Sequence, residues 1–183
     1  MNIGIDIDGV LTDFSSFRLS RGKELLGQIV NEQAYKFKDM FECFAYKELI
    51  FWLHNLDYLK LPVKDGSKEL TDSMKNNEDN VFFITKRFYL LSRLTKNWLN
   101  ENEIYYNYIF HTMFKMHVIN KYNIDLMIED SPFNISYISD HIPVIAIKAI
   151  YNQNLVKDNV YMASDLHEAK DIYNNIRKKI LYK

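Results

Sequence analysis

The chain has 183 residues, 48% of them hydrophobic and 15% aromatic, which suits one domain with a sizeable core and a small insertion. A formal net charge of −1 gives no bulk attraction to nucleic acid or acidic lipid. The single cysteine, Cys43, rules out an intrachain disulfide, reads as a small buried apolar residue, and fits a reducing cytoplasm.

The first strand is expected at once. Ile3, Ile5 and Ile7 alternate with Asn2, Gly4 and Asp6, and the run stops at the turn pair Asp8-Gly9. No basic segment followed by an apolar one precedes it, and no apolar run reaches roughly 18 residues, so neither a signal peptide nor a membrane span is expected. Asp6 and Asp8 thus stand at the C-terminal lip of an apolar strand, where open α/β sheets bind ligands. Asp8 alone would mark no more than a turn. An acid inside an Ile-rich strand, however, costs several kcal/mol of desolvation unless paired. Two acids so close call for a cation or a shared proton, and Mg2+ with oxygen ligands is the first expectation.

Residues 14–61 change character. Helical spacing runs from Phe14 to Leu26 and ends at Gly27; a weaker segment covers about 32–42; a third, Tyr46 to Leu56, places Leu49, Ile50, Leu53 and Leu56 on one face. No strand interrupts this segment, which far exceeds the roughly 4–6 residues of an ordinary connection. It is expected to be a helical cap over the first strand's lip, excluding water and selecting substrate. The core would then comprise 1–13 and 62–183.

Leu61 to Ser67 is punctuation, and a helix is expected over about 66–77. Asn80 to Ile84 is a fully apolar strand ending at Thr85-Lys86-Arg87. There follow a helix over 88–101, a strand over 105–110, a helix over 113–122 and a strand over 125–128 ending at Glu129-Asp130-Ser131-Pro132. A helix over 132–140, strands over 143–147 and 159–161, and a helix over 164–180 complete the chain, with Ser164 expected as the last helix's N-cap. Strand alternating with helix predicts an α/β fold with a doubly wound parallel sheet.

Parallel strands bring Asp6, Asp8, Thr85, Glu129 and Asp130 to one edge, with Lys115 opening the helix before the fourth strand. These groups suit phosphoryl transfer. One carboxylate attacks phosphorus, a second exchanges protons, and a hydroxyl and an ammonium hold the non-bridging oxygens.

Asp6-Ile7-Asp8-Gly9-Val10-Leu11-Thr12-Asp13 resembles the first motif of the haloacid dehalogenase (HAD) superfamily of phosphatases, a Rossmann-like fold. Thr85 looks like its second motif, Lys115 its third, and Glu129 to Asn134 its acidic fourth. The resemblance implies that Asp6 is the nucleophile of an aspartyl-phosphate mechanism and Asp8 the general acid/base. It implies Mg2+ on the Asp6 carboxylate, the Asp8 carbonyl and Asp130, with Glu129 behind and Asn134 steadying the metal loop. Thr85 and Lys115 would bind phosphate, Lys115 being preferred over Lys121 because Lys121 lies in a last helical turn. Arg87, beside Thr85, is expected to join them.

Ile124 to Pro132, Pro143-Val144, Tyr151-Asn152 and the return at Leu61-Pro62 with Gly66 look like the 5'(3')-deoxyribonucleotidase family and its bacterial relatives. That likeness implies a 5'-nucleotidase acting on nucleoside monophosphates. Phe44, Phe51 or Trp52 would stack on the base, and Arg18 or Arg21 would meet a phosphate or sugar, although core packing and a solvated surface are the plainer explanations. A sugar-phosphate phosphatase would share the same catalytic residues, and a non-catalytic phosphate- or nucleotide-binding module is a third alternative. A small phosphorylated substrate is the expected partner, with neither nucleic acid nor membrane; a homodimer is compatible with the sequence.

Overall fold

The computed structural model describes residues 1–42, 44–54, 56, 59 and 61–181, without the side chains of 45, 52–54 and 181. The expectations for Cys43 and for the side chains of Trp52 and Leu53 lie outside the described residues.

Apolar runs bounded by turn residues become short strands: β1 (Asn2–Ile5), β2 (Asn80–Thr85), β3 (Tyr108–His111), β4 (Leu126–Glu129), β5 (Val144–Ile147) and β6 (Val160–Ala163). They form one six-stranded sheet, order β3-β2-β1-β4-β5-β6, with every pairing parallel. Ile3 pairs with Val81 on one side and Leu126 on the other, so β1 is central. The chain builds outward first through β2 and β3, then returns to begin again at β4. The β1/β4 boundary is therefore the topological switch point, where the loops at the strand ends diverge and leave a crevice.

Helices cover both faces. On one, α4 (Ser67–Asn76), α5 (Ser92–Glu101) and α8 (Leu166–Leu181) pack Leu70, Met74, Trp98, Leu99, Leu166 and Tyr173 against Ile3, Ile5, Val81, Phe83 and Ile128. On the other, α6 (Lys115–Lys121) and α7 (Pro132–Ile138) pack Val118, Ile119, Ile135 and Ile138 against Phe82, Ile84, Met127 and Val144. Burial on both faces is why these strands read as continuous apolar runs. Buried Asp79 ties α8 to the start of β2, accepting from Tyr173 Oη at 2.6 Å and Arg177 Nε at 3.0 Å. No helix of the described residues is long and apolar enough to cross a membrane.

Between β1 and α4 lie α1 (Phe14–Leu26), α2 (Phe37–Phe41) and α3 (Ala45–His54). Asp13 caps α1, its carboxylate accepting from Ser16 N at 3.2 Å, and Gly27 closes it at φ 86°, a conformation glycine adopts without strain. The three helices share a cluster of their own: Phe37, Met40, Phe41 and Phe51, flanked by Phe17, Leu19 and Leu26. The segment leaves and re-enters side by side. Thr12 bridges Val63, and Lys64 N donates to Leu11 O at 2.7 Å.

Some element boundaries differ from the sequence expectation, each for a local reason. Only 37–41 of the 32–42 segment is helical, because Asn31 folds its own turn: its Oδ1 accepts from Gln33 N at 3.0 Å and its carbonyl from Ala34 N at 3.3 Å. The 88–101 helix opens as a 3-10 turn, Tyr89–Leu91. β3 starts three residues late, its entry made by the Asn107 side chain, whose Oδ1 takes Val81 N–H at 2.7 Å. Asp165, not Ser164, caps α8: its Oδ1 accepts from Glu168 N at 2.8 Å and its carbonyl from Ala169 N. Glu168 instead reaches back to Ser164 N at 2.7 Å.

Candidate active site

Asp6 follows the last residue of β1 and Asp130 the last of β4, so the switch point sets them together. Asp6 N donates to Ile128 O at 3.0 Å, extending the β1–β4 pairing to the carboxylate itself. Carboxylate oxygens of Asp6, Glu129 and Asp130 lie within 4.8 Å of one another, all three side chains buried. Lys115, first residue of α6, enters from the side. Its Nζ stands 2.8 Å from Asp6 Oδ2 and 3.2 Å from Glu129 Oε1. The other Asp6 oxygen accepts from Ile7 N at 2.8 Å. Glu129 also accepts from Asn134 Nδ2 and from Asp130 N at 3.1 Å, so donors of the chain surround it. Lys121 is exposed, with its Nζ over the Tyr122 ring.

Burial pushes the Asp6 carboxyl well above its ordinary value; Glu129 adds to this and Lys115 opposes it. Burial likewise raises Asp130 to about 6, with the Asp6 charge acting in the same direction and Tyr151 and Lys115 against it. Lys115 is held above the ordinary lysine value: burial works against its ammonium, but Asp6 and Glu129 outweigh it. Three acids thus share one paired ammonium among the described residues. Their oxygens are hard donors, and a divalent cation among them would relieve the repulsion and burial that now favour their protonated forms. Gly9 supports the same fit. A Cβ built there would run into the Asp130 carboxylate, and its φ of 89° excludes most other residues. The residues present therefore fit a hard divalent cation.

Thr85, at the end of β2, is fully buried, and its Oγ1 accepts from Arg87 N at 3.2 Å. Asp8 is more open, its side chain 18% exposed. Arg87, expected to join Thr85 at a phosphate, forks onto Asp8 in this structure, Nε to Oδ2 at 2.8 Å and Nη2 to Oδ1 at 2.6 Å. The reason is packing: its guanidinium lies 5.2 Å over Trp98 and its carbonyl contacts His111 Nδ1 at 3.0 Å, which aims the fork across the crevice. Asn134 is placed beside the cluster, on Glu129 and at 3.4 Å from Lys86 Nζ.

The residues singled out in the helical segment take different places. Phe44 is 72% exposed and stacks on Tyr46, while Phe51 is core. Arg21 is half-buried and pairs with Glu24 at 2.6 Å. Arg18 is not on a solvated surface; it is buried, and its Nη1 donates to Tyr35 O at 2.7 Å. Residues not singled out as site groups from sequence also converge. Tyr151 Oη donates to Asp130 Oδ2, Asn152 Nδ2 to Asp130 O at 2.7 Å, and Lys64 Nζ to Gly9 O at 2.6 Å. Tyr151-Asn152 stands out in the sequence only as a mark of family likeness; a polar pair just past a strand end is the signal that could have placed it here.

Comparison with known proteins agrees with this geometry. No family model matches the chain. A nucleotidase of Clostridium acetobutylicum is 29% identical over 195 residues, spanning 98% of this chain and 96% of the relative. A Bacillus subtilis protein named as a candidate nucleotidase is 26% identical over 201 residues, spanning 99% and 97%. Among solved structures, a HAD-superfamily hydrolase of Ehrlichia chaffeensis superposes with a TM-score of 0.57 at 12% identity, covering 95% of this chain and 96% of the other. A phosphatase candidate of Clostridium acetobutylicum superposes at 0.64 and 16% identity, covering 100% and 98%. The chain has the HAD-like α/β fold and is similar over its whole length to proteins named as nucleotidases.

Two expectations follow for this HAD-fold site. Gly9→Ala should displace the Asp130 carboxylate and strain the turn. We expect a loss of roughly 1–3 kcal/mol in unfolding free energy and a clear fall in Mn2+ affinity by calorimetry; a variant matching wild type in both would show that the turn has slack. The second concerns pH. In the metal-free fold Asp130 keeps its proton up to about pH 6, whereas its ordinary value is 3.8. Between those values the native state binds the extra proton, so this contribution is complete below 3.8 and lost as pH rises through about 6. It amounts to on the order of 3 kcal/mol. Metal-free wild type should therefore lose several degrees of Tm relative to Asp130→Asn between pH 4 and 7. Parallel Tm curves for the two proteins would contradict this.

Proposed function

We propose that this chain is a Mg2+-dependent phosphomonoesterase, working through an aspartyl-phosphate on Asp6 and acting on nucleoside monophosphates. The observation that carries the reading is the buried group of Asp6, Lys115, Glu129 and Asp130 at the β1/β4 switch point, with Thr85 at the end of the neighbouring β2 and Asp8 just past β1. The full-length similarity to proteins bearing nucleotidase names supports the substrate class.

Asp6, with Lys115 on one oxygen and Ile7 N–H on the other, presents a fixed carboxylate toward the crevice. Its oxygen attacks phosphorus and the ester P–O bond breaks. Asp8, with one oxygen released from the Arg87 fork, gives a proton to the departing alkoxide oxygen, then takes one from the water that attacks the acyl phosphate, releasing inorganic phosphate and restoring Asp6. Lys115 and Thr85 bind the non-bridging oxygens. A divalent ion held by Asp6, Asp130 and the Asp8 carbonyl would neutralise charge on the phosphoryl group. Glu129 keeps Lys115 and Asn134 in place. Helices α1–α3 form the cap, which screens the crevice from water and selects the leaving group.

The test is phosphate release with Mg2+ across deoxyribo- and ribonucleoside monophosphates and sugar phosphates. Preferential hydrolysis of nucleotides such as dUMP or dTMP is expected. Much faster sugar-phosphate hydrolysis would overturn the substrate class, and binding without hydrolysis of any ester would overturn catalysis.

A further inference from the structure

We propose that Tyr151 is a positioning residue for Asp130 and that, through Tyr35 and Arg18, it couples cation binding to the seating of the helical segment on the sheet. This rests on the metal-binding part of the reading above.

Tyr151 is delivered to Asp130 by a rigid loop. Asn152 Nδ2 donates to Asp130 O at 2.7 Å and to Ile147 O at 2.9 Å, while its Oδ1 accepts from Ala149 N at 2.8 Å. The residue beside Asn152 therefore has little freedom, and its hydroxyl donates to Asp130 Oδ2. A carboxylate oxygen has a second lone pair, so Asp130 can accept this bond and still face a cation. Partners of this kind orient a ligating carboxylate.

The other side of the same ring touches the helical segment. Tyr35 meets Tyr151 edge-on, with centroids 5.2 Å apart and planes at 70°. The Arg18 guanidinium lies 5.5 Å from the Phe14 ring, 5.6 Å from Tyr35 and 5.8 Å from Tyr151. Arg18 is 6% exposed, has no carboxylate partner among the described residues, and leaves its buried Nε without an acceptor. A buried cation facing only ring faces and one carbonyl is tolerable while all three rings stay in place. Moving Tyr151 away would strand it. The junction therefore favours the seated arrangement, and Tyr151 belongs both to it and to the cation site. Linkage is reciprocal: if seating tightens the cation site, the cation must favour seating by the same factor.

Mn2+, followed by the loss of its free electron-paramagnetic-resonance signal, serves as the probe in wild type, Tyr151→Phe, Tyr35→Phe and Tyr35→Ala. Tyr151→Phe should weaken Mn2+ binding by roughly 10–100-fold with its circular dichroism unchanged. Tyr35→Ala should weaken it by about 5-fold or more, and Tyr35→Phe, which keeps the ring against Tyr151 and loses only the hydroxyl's bond with Ser131, should weaken it less. In the reverse direction, saturating Mn2+ should slow tryptic cleavage after Lys36 and Lys38 in wild type but not in Tyr151→Phe. Should Tyr35→Ala fail to fold, Tyr151→Phe and the protease comparison decide. Wild-type Mn2+ affinity in Tyr151→Phe, or cleavage indifferent to Mn2+ in wild type, would overturn the proposal. Intact linkage without ester hydrolysis would instead sink the phosphatase reading alone.

Discussion

Asp6→Asn should abolish phosphate release, by on the order of 10^4-fold or more, and leave the protein folded. The amide has nearly the same shape, and its oxygen can keep the Ile7 N–H bond. What it lacks is a carboxylate oxygen able to attack phosphorus. Removing this charge costs the fold little, because burial and Glu129 already push Asp6 toward its neutral form. Lys115 retains Glu129 at 3.2 Å. Phosphate release and a thermal melt on the same preparation separate the two effects. Turnover near wild type would remove Asp6 from the nucleophile's role, whereas a protein that fails to fold would show that Asp6 holds the crevice together.

Lys115→Met is expected to be the most damaging substitution for stability. The methionine fills a similar volume but takes the ammonium from between Asp6 and Glu129, two buried acids at 2.8 and 3.2 Å. Breaking a buried pair from one side typically costs about 3–5 kcal/mol, and in a chain of this size that lowers Tm by roughly 10 °C. Activity should disappear as well, since Lys115 is the ammonium nearest the nucleophile. Adding Glu129→Gln should restore part of the lost Tm, because it removes one of the two stranded charges; coupled sites are non-additive in this way. A single variant that melts with wild type would mean that water or a cation already balances the acids.

The crevice at the strand ends was largely legible because strand ends announce themselves. Ile-rich or Phe-rich runs broken by Asp8-Gly9, Thr85-Lys86 and Glu129-Asp130-Ser131-Pro132 fix both the sheet and the groups at its lip, and parallel winding brings those lips together. Lys115 was readable as the opening residue of a helix. Arg87 was not. Its neighbour in sequence is Thr85, but its direction is set by Trp98 and His111, from an element each, and no local pattern encodes that. Tyr35 and Arg18 were obscured for a similar reason: their contacts cross from the insertion to a loop over a hundred residues away. The α8 cap was missed by one residue, because Ser164 and Asp165 both suit the position and only the geometry shows which carbonyl begins the helix.

The paired neck at Thr12 and Val63 has a bearing on how such a chain can diversify. Its two strands are stitched to each other, by the Thr12–Val63 bridge and the Lys64 N to Leu11 O bond, before either reaches the helices. Whatever is threaded between them is thus suspended from one fixed anchorage. Residues can be gained, lost or exchanged beyond that anchorage without shifting the register of β1 against β2 and β4. The groups at the strand ends and the surface carried by the insertion can accordingly drift at separate rates within a single polypeptide.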